Sequence, residues 1–476
     1  MMKKLLIFAL IPAFFLGGCV NSLDDYNIDT KKPSKVDAAP LFSNSTKGLN
    51  DVLNSVNVNT NVFRFYVQHL ATTTYLEEPR YNMVTRTIPQ ALWNAMYVSS
   101  LADLKEAKSI IDANQILNAD VKKNQIATID VMQVYAYSVL VNTFGDIPYS
   151  ESLDINNPQP KYDDAKTVTL DLLSRLDTDI AAMNGDADGF GTADIIYGGN
   201  VGKWQKFANS LRLKLAMVIA DVDPGTAGAK IAASAALPLI TANADNALFK
   251  YVGAPNNNPL SNDVPPRSAR QDFVMANTLV DEMNTLNDPR RAAFFTTVGG
   301  EYVGGKYGFS NVYANFSTFS TKVTATTFPG NMLDASEVNF LLAEAVERGF
   351  ITGDAKSYYD AAITASLAYW GVTGVEDYLA QATVDYSNAG SGASWQEKIG
   401  TQKWIALYNR GFDAWTEWRR LDFPVLVAPD ASGVPPIPKR LIYPIIENSL
   451  NAANTKAAAA AIGGDDSATR LFWDVK

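Results

Sequence analysis

Apolar residues recur at helical spacing through most of this chain, and the pattern predicts a mainly α architecture. Trp93, Tyr97, Leu101, Leu104 and Ile111 fall on one helical face. From Ile126 to Val141 the chain is apolar nearly all round, which predicts a helix buried on most sides. Leu172, Leu173, Leu176 and Ile180 mark another stripe. Asn200 stands where it caps a helix carrying Trp204, Phe207, Leu211, Leu215 and Val218. Asp334, with Glu337 three residues on, has the form of a capping box ahead of Val338, Leu341, Leu342, Ala345 and Val346, and Gly349 stops that run. Trp395 to Arg420 reads as one further long helical segment.

Two of these stretches pair. Ala343, Val346 and Phe350, then Ala355, Tyr359 and Ala362, occupy the relative offsets of a tetratricopeptide unit, whose alanines let two helices cross closely. An ordinary helical hairpin would use the same residues, and no clean period of about 34 residues runs through the chain. Between 236 and 330 the texture changes. Pro, Gly, Asn and Thr accumulate, periodicity is lost, and Tyr302, Tyr307, Phe309, Tyr313, Phe316 and Phe319 cluster. A segment this long without strong helices is unusual in a compact domain and often functional. A second irregular stretch runs from Pro424 to Pro444.

The N-terminus follows a different logic. Lys3 and Lys4 form a basic leader, Leu5 to Leu16 an apolar run, and Gly17-Gly18-Cys19 a small-residue ending. The run falls far short of the roughly 20 residues a bilayer span needs, so 1–18 is expected to be a removable signal peptide. The ending resembles a bacterial lipobox, in which the thiol, here Cys19, is modified with diacylglycerol and becomes the mature N-terminus. Cys19 is also the only cysteine in 476 residues. The polar stretch 19–40, with Asp24, Asp25, Asp29, Pro33 and Pro40, is expected to be a lipidated tether; about 20 flexible residues reach roughly 25 Å. Its acidic pair resembles a surface-export signal of outer-membrane lipoproteins. Residues 41–476 are expected to form a single domain.

Composition narrows the chemistry. With 47% hydrophobic and 19% charged residues the chain is globular. Loss of Lys3 and Lys4 leaves 38 basic against 50 acidic side chains, a balance of −12 that disfavours nucleic acid and anionic membrane surfaces. His69 is the only histidine, so Ser-His-Asp, Cys-His and zinc-His catalysis are all but excluded. Its position after Phe65 and Tyr66 predicts a packing role.

Several blocks carry a family resemblance. They are Asn142-Thr143-Phe144-Gly145-Asp146-Ile147-Pro148-Tyr149-Ser150-Glu151, Lys203 to Leu213, Asp288-Pro289-Arg290, Gln402-Lys403-Trp404-Ile405-Ala406-Leu407-Tyr408, Ala414 to Arg420, and Arg440-Leu441-Ile442-Tyr443-Pro444 with Glu447 and Asn451. In order and spacing they resemble the SusD/RagB family of outer-membrane nutrient-binding lipoproteins, particularly its second SusD-like branch. The resemblance implies tetratricopeptide-like helix pairs, with long irregular loops forming a ligand face. It also implies an oligosaccharide or peptide ligand, a SusC-like TonB-dependent outer-membrane transporter as partner, no catalysis and no cofactor. The blocks themselves read as scaffold, with Trp204, Trp404, Trp415 and Trp418 at core spacings. A surface glycoside hydrolase is the competing class, requiring two carboxylates about 5 to 10 Å apart across an aromatic cleft.

Sugars present apolar C–H faces ringed by hydroxyls, so candidate sites combine aromatics with amide, carboxylate or guanidinium groups. Tyr75, Arg80, Tyr81 and Asn82 meet that requirement in one loop, as do Tyr302, Tyr307 and Tyr313 in another, where Gly304, Gly305 and Gly308 allow close backbone approach. These loops compete with the reading that they are a polar connection and a core cap. Asp186, Asp188 and Asp194, with Asn184 and Gly189, crowd oxygen ligands as a calcium loop does, although Ile195 stands where an EF-hand has Glu.

Overall fold

The computed structural model describes residues 36–388 and 392–476. Helices build the body. α1 (Ala38–Asn54) starts inside the stretch expected as tether. The stripe from Trp93 to Ile111 runs through a helix at Ile88–Met96, a π-helical turn at Tyr97–Leu101, and α2 (Ala102–Ala113). α3 (Ala119–Phe144) is buried almost all round from Ala127 onward, as its unbroken apolarity predicts. α4 (Ala165–Ala182) and α5 (Val201–Val218) follow, and Asn200 caps α5 by accepting from the Lys203 N–H. α6 (Pro224–Ala235) completes this half. Each of these helices from α1 on packs against its successor.

The second half holds the expected hairpin. Asp334 caps α7 (Ala335–Glu347) through the Glu337 N–H, and α8 (Ala355–Trp370) packs along it. Ala343 and Ala362 are fully buried where the helices cross, and the Ser336 hydroxyl donates to the Ala362 carbonyl at 2.9 Å. The long segment expected from Trp395 to Arg420 is instead two helices, α9 (Trp395–Ala406) and α10 (Gly411–Leu421). The break falls where Gly411 meets the backbone of Arg64, whose N would lie 2.8 Å from any added Cβ. The turn also delivers Arg410 into a buried cluster of ions, 2.6 Å from Glu337 and 2.8 Å from Asp413.

The blocks that carry the resemblance converge in this scaffold. Arg440 donates through Nη2 to the Phe144 carbonyl at 2.9 Å, the Arg419 Nη2 to the Asn142 carbonyl at 2.8 Å, and the Tyr443 hydroxyl to the Asp146 carbonyl at 2.9 Å. Trp204, Trp404 and Trp415 are fully buried. His69 sits beneath Trp404 at 4.9 Å between ring centroids, and burial pushes its imidazole down to about 3, so it is neutral and packs.

The region 236–330 is not structureless. It carries a helix at Asn277–Thr285 and contributes to two small antiparallel sheets. β1 (Leu70–Thr72) pairs with β3 (Phe273–Met275), and β2 (Ala247–Phe249) with β4 (Gly330–Leu333). Among the described residues no helix is long and apolar enough to cross a membrane.

Candidate ligand-binding site

The β1–β3 pairing brings together chain segments some two hundred residues apart. Thr72 lies opposite Phe273, and Thr73 extends the contact by donating to the Asp272 and Gln271 carbonyls at 2.9 and 2.7 Å. The Met275 N–H donates to Ser317, and Thr318 exchanges hydrogen bonds with Thr296, which fixes the chain before Phe319. The result is an open cleft of about 290 Å³. Phe273, Phe319, Tyr313 and Pro265-Pro266 supply its apolar surface; Thr318, Thr321 and Thr324 supply hydroxyls. Arg270 and Asp272, ion-paired at 2.6 Å, stand at its rim, and the pairing raises the Arg270 guanidinium above its ordinary value. Tyr75, with 44% of its surface exposed, lies near enough to Arg270 to act on its charge.

Aromatic edges beside hydroxyls and one charged pair suit a polyhydroxylated ring. The lining holds one carboxylate, Asp272, paired to Arg270; Asp263 lies near enough to act on both, and its burial raises its carboxyl above the ordinary value.

The sequence candidates divide. Tyr313 lines the cleft; Tyr75 does not line it, but follows two residues after Thr73, which is bonded to Gln271 and Asp272 at its edge. Tyr307 and Tyr81 do not line it either: both are buried, and the Tyr307 hydroxyl donates to the Phe65 carbonyl at 2.6 Å. They pack beneath the loops, 6.5 Å apart between centroids. Asn82 is exposed, but its Oδ1 is taken by the N–H groups of Val84 and Thr85, both at 3.1 Å. Arg80 ties one candidate loop to the other. Tyr302 lies half-buried under Arg291, 5.4 Å from the guanidinium carbon, and does not line the cleft. The glycines give close approach to the chain's own atoms: a Cβ on Gly304 would lie 2.3 Å from the Asn277 Cα, and one on Gly308, at φ +76°, 2.3 Å from Pro429.

In the acidic loop, Asp194 has a structural use. Asp194 is buried, and its carboxylate accepts from the N–H groups of Ile196, Tyr197 and Gly199 and from the Trp204 indole at 2.7 Å. It is the internal cap of the turn leading into α5. Asp186 and Asp188 are exposed, and among the described residues no three His, Cys, Asp or Glu side chains converge as metal ligands. Cys19 lies outside the described residues.

The sequence matches, over residues 30–444, the family described as SusD-like, starch-binding associating with outer membrane. The chain belongs to this SusD-like family. Its members are nutrient-binding proteins of the outer membrane, and the mainly α fold of tetratricopeptide-like pairs agrees with solved relatives. One, a chitin-binding protein, is 25% identical with a TM-score of 0.80, covering 92% of this chain and 100% of that one. A SusD homolog from Bacteroides uniformis is 28% identical, with a TM-score of 0.75, 92% and 99% covered. A chitin-binding SusD homolog from Flavobacterium johnsoniae is 24% identical with a TM-score of 0.77, again 92% and 99% covered. Among curated proteins, no sequence matches this chain.

Proposed function

We propose that this SusD-like protein is a non-catalytic lipoprotein that captures oligosaccharide in the cleft between Phe273, Tyr313 and Arg270 and passes it to a SusC-like TonB-dependent transporter. The aromatic, hydroxyl-lined cleft carries this reading. The family's starch-binding description and a chitin-binding relative at 25% identity support a glycan as its cargo. Lipidation of Cys19 would hold the protein at the outer membrane, facing the exterior.

Three experiments test it. Titrating the purified mature protein with maltohexaose and chitohexaose should give saturable binding with no shortening of either chain; turnover would make it a hydrolase, and binding only to peptides would replace the cargo. Cys19→Ser should move the protein out of the membrane fraction or leave its signal uncleaved. Purification from native membranes in mild detergent should bring the barrel down with it, and repeated recovery of the lipoprotein alone would count against that partnership.

A further inference from the structure

Tyr75 presents an exposed aromatic ring two residues beyond Thr73, which is bonded to the Gln271-Asp272 edge of the cleft, and an exposed tyrosine ordinarily samples several rotamers. Here it is held from behind. The Arg86 guanidinium carbon lies 5.3 Å from the Tyr75 ring centroid, in cation–π contact. Arg86 is fixed in turn by an ion pair between its Nε and the Glu78 carboxylate. The Glu78 side chain is 1% exposed and the Arg86 side chain 26%, so the pair is shielded from water where a surface pair would be weak.

The backbone around Arg86 is set as firmly. Asn82 caps the turn through Val84 and Thr85, and the Thr87 N–H closes it on the Val84 carbonyl at 3.0 Å. Thr87 itself holds the left-handed conformation, at φ 49°. Glu78 is anchored from the other side by its own turn, in which Tyr81 N–H donates to the Glu78 carbonyl and Asn82 N–H to Glu77. The relay therefore runs from a buried carboxylate, through one guanidinium, to an exposed ring beside Arg270.

We propose that Arg86 is a positioning residue for ligand capture: held by Glu78, it fixes the Tyr75 ring as a preformed stacking platform beside the cleft, where a glycan longer than the cleft would reach it. The inference rests on the reading of that cleft as a glycan site. Its physical content is preorganisation. A ring already in the bound orientation loses little rotamer freedom when a sugar stacks on it, so Arg86 adds affinity without touching the ligand.

The test is a double-mutant cycle on the mature protein with maltohexaose and chitohexaose as probes. Arg86→Met keeps the aliphatic stem and removes the cation. It should weaken binding of whichever glycan binds by about three- to tenfold, and Arg86→Lys should recover part of that loss. In a Tyr75→Ala background the Arg86→Met effect should vanish. An undiminished effect there would overturn the relay, because Arg86 would then act by another route. A second readout needs no ligand. With 3-fluorotyrosine placed at position 75, the fluorine resonance should shift and broaden on Arg86→Met; an unchanged resonance overturns the proposal. If neither glycan binds the parent protein, the cargo assignment fails, and the fluorine signal still decides whether Arg86 orders the ring.

Discussion

The Nε of Arg80 donates to the carbonyl of Gly308 at 2.9 Å, across 228 residues of sequence. The same guanidinium lies 5.6 Å from the ring of Phe309, so one side chain fastens the two candidate loops to each other. Gly308 is pressed against Pro429, which joins the loop after α10 to the same contact. Arg80 is thus a latch between the two loops.

Replacing it should loosen both loops together. Arg80→Ala is expected to cost about 1–3 kcal/mol, since a charge-assisted hydrogen bond and the packing of the stem are lost at once. Hydrogen exchange should report the change in residues 75–82 and 305–310. Faster exchange in only one loop would contradict the latch.

Tyr313 and Tyr307 sit six residues apart, yet they should respond oppositely. Tyr313 lines the cleft and is half exposed, so Tyr313→Ala should weaken glycan binding by about 1–3 kcal/mol with little loss of stability. Tyr307 is buried and donates to Phe65, so Tyr307→Ala should cost roughly 3–5 kcal/mol of stability. Paired calorimetry and urea unfolding separate the two. A Tyr313 variant that unfolds early and binds normally would move the site elsewhere.

The helices were legible because each leaves a stripe or a cap in a short window, as at Asp334–Glu337 and Asn200. The cleft was only partly legible. Tyr313 is found from composition, but Phe273, Arg270 and Asp272 reach the site through pairing of β1 with β3, and pairing between distant three-residue strands leaves no local signature. Tyr81 and Tyr307 share the composition of ligand-facing loops, and only tertiary packing turns them inward. The break between α9 and α10 had one local signal, Gly411, whose cause is the approach of Arg64 from far along the chain.

Asp194 offers a direct check on the calcium-loop expectation. Its carboxylate satisfies three backbone N–H groups and the buried Trp204 indole. Asp194→Ala should destabilise the protein by about 3 kcal/mol, since buried donors are left without an acceptor. Chelation with EDTA should leave the melting temperature of the parent protein where it was. A fall on chelation would restore the metal to consideration.

Acid should unfold the protein through α7. Burial opposes ionisation of Glu337, but Arg410, Lys214 and Lys403 outweigh it and hold the carboxyl down at about 2, below its ordinary 4.5. A depressed carboxylate stabilises the fold fully above its unfolded value. That stability drains away as pH falls from about 4.5 through about 2. Urea unfolding should therefore show a steep loss across this window. Glu337→Gln should start less stable at pH 7, because Arg410 and Lys214 lose a buried partner, and its stability should fall less across the same window.

Asp179 has the opposite sign. It is buried on α4, and burial, then the neighbouring Asp130 carboxylate, push its carboxyl from an ordinary 3.8 up to about 9; Asp130 is itself claimed by Arg175 at 2.9 Å and Lys108 at 2.6 Å. At neutral pH Asp179 is thus protonated in the fold and ionised in the unfolded chain. Its contribution is complete below about pH 4 and declines as pH rises towards 9. Asn has nearly the same shape and nothing to ionise when the chain unfolds, so it escapes that decline. Asp179→Asn should accordingly gain stability over the parent progressively as pH rises from 4 to 8, and gain nothing at pH 4. Unfolding free energies of both proteins at pH 4, 6 and 8 provide the measurement. Parallel curves would mean that Asp179 is ionised in the folded protein.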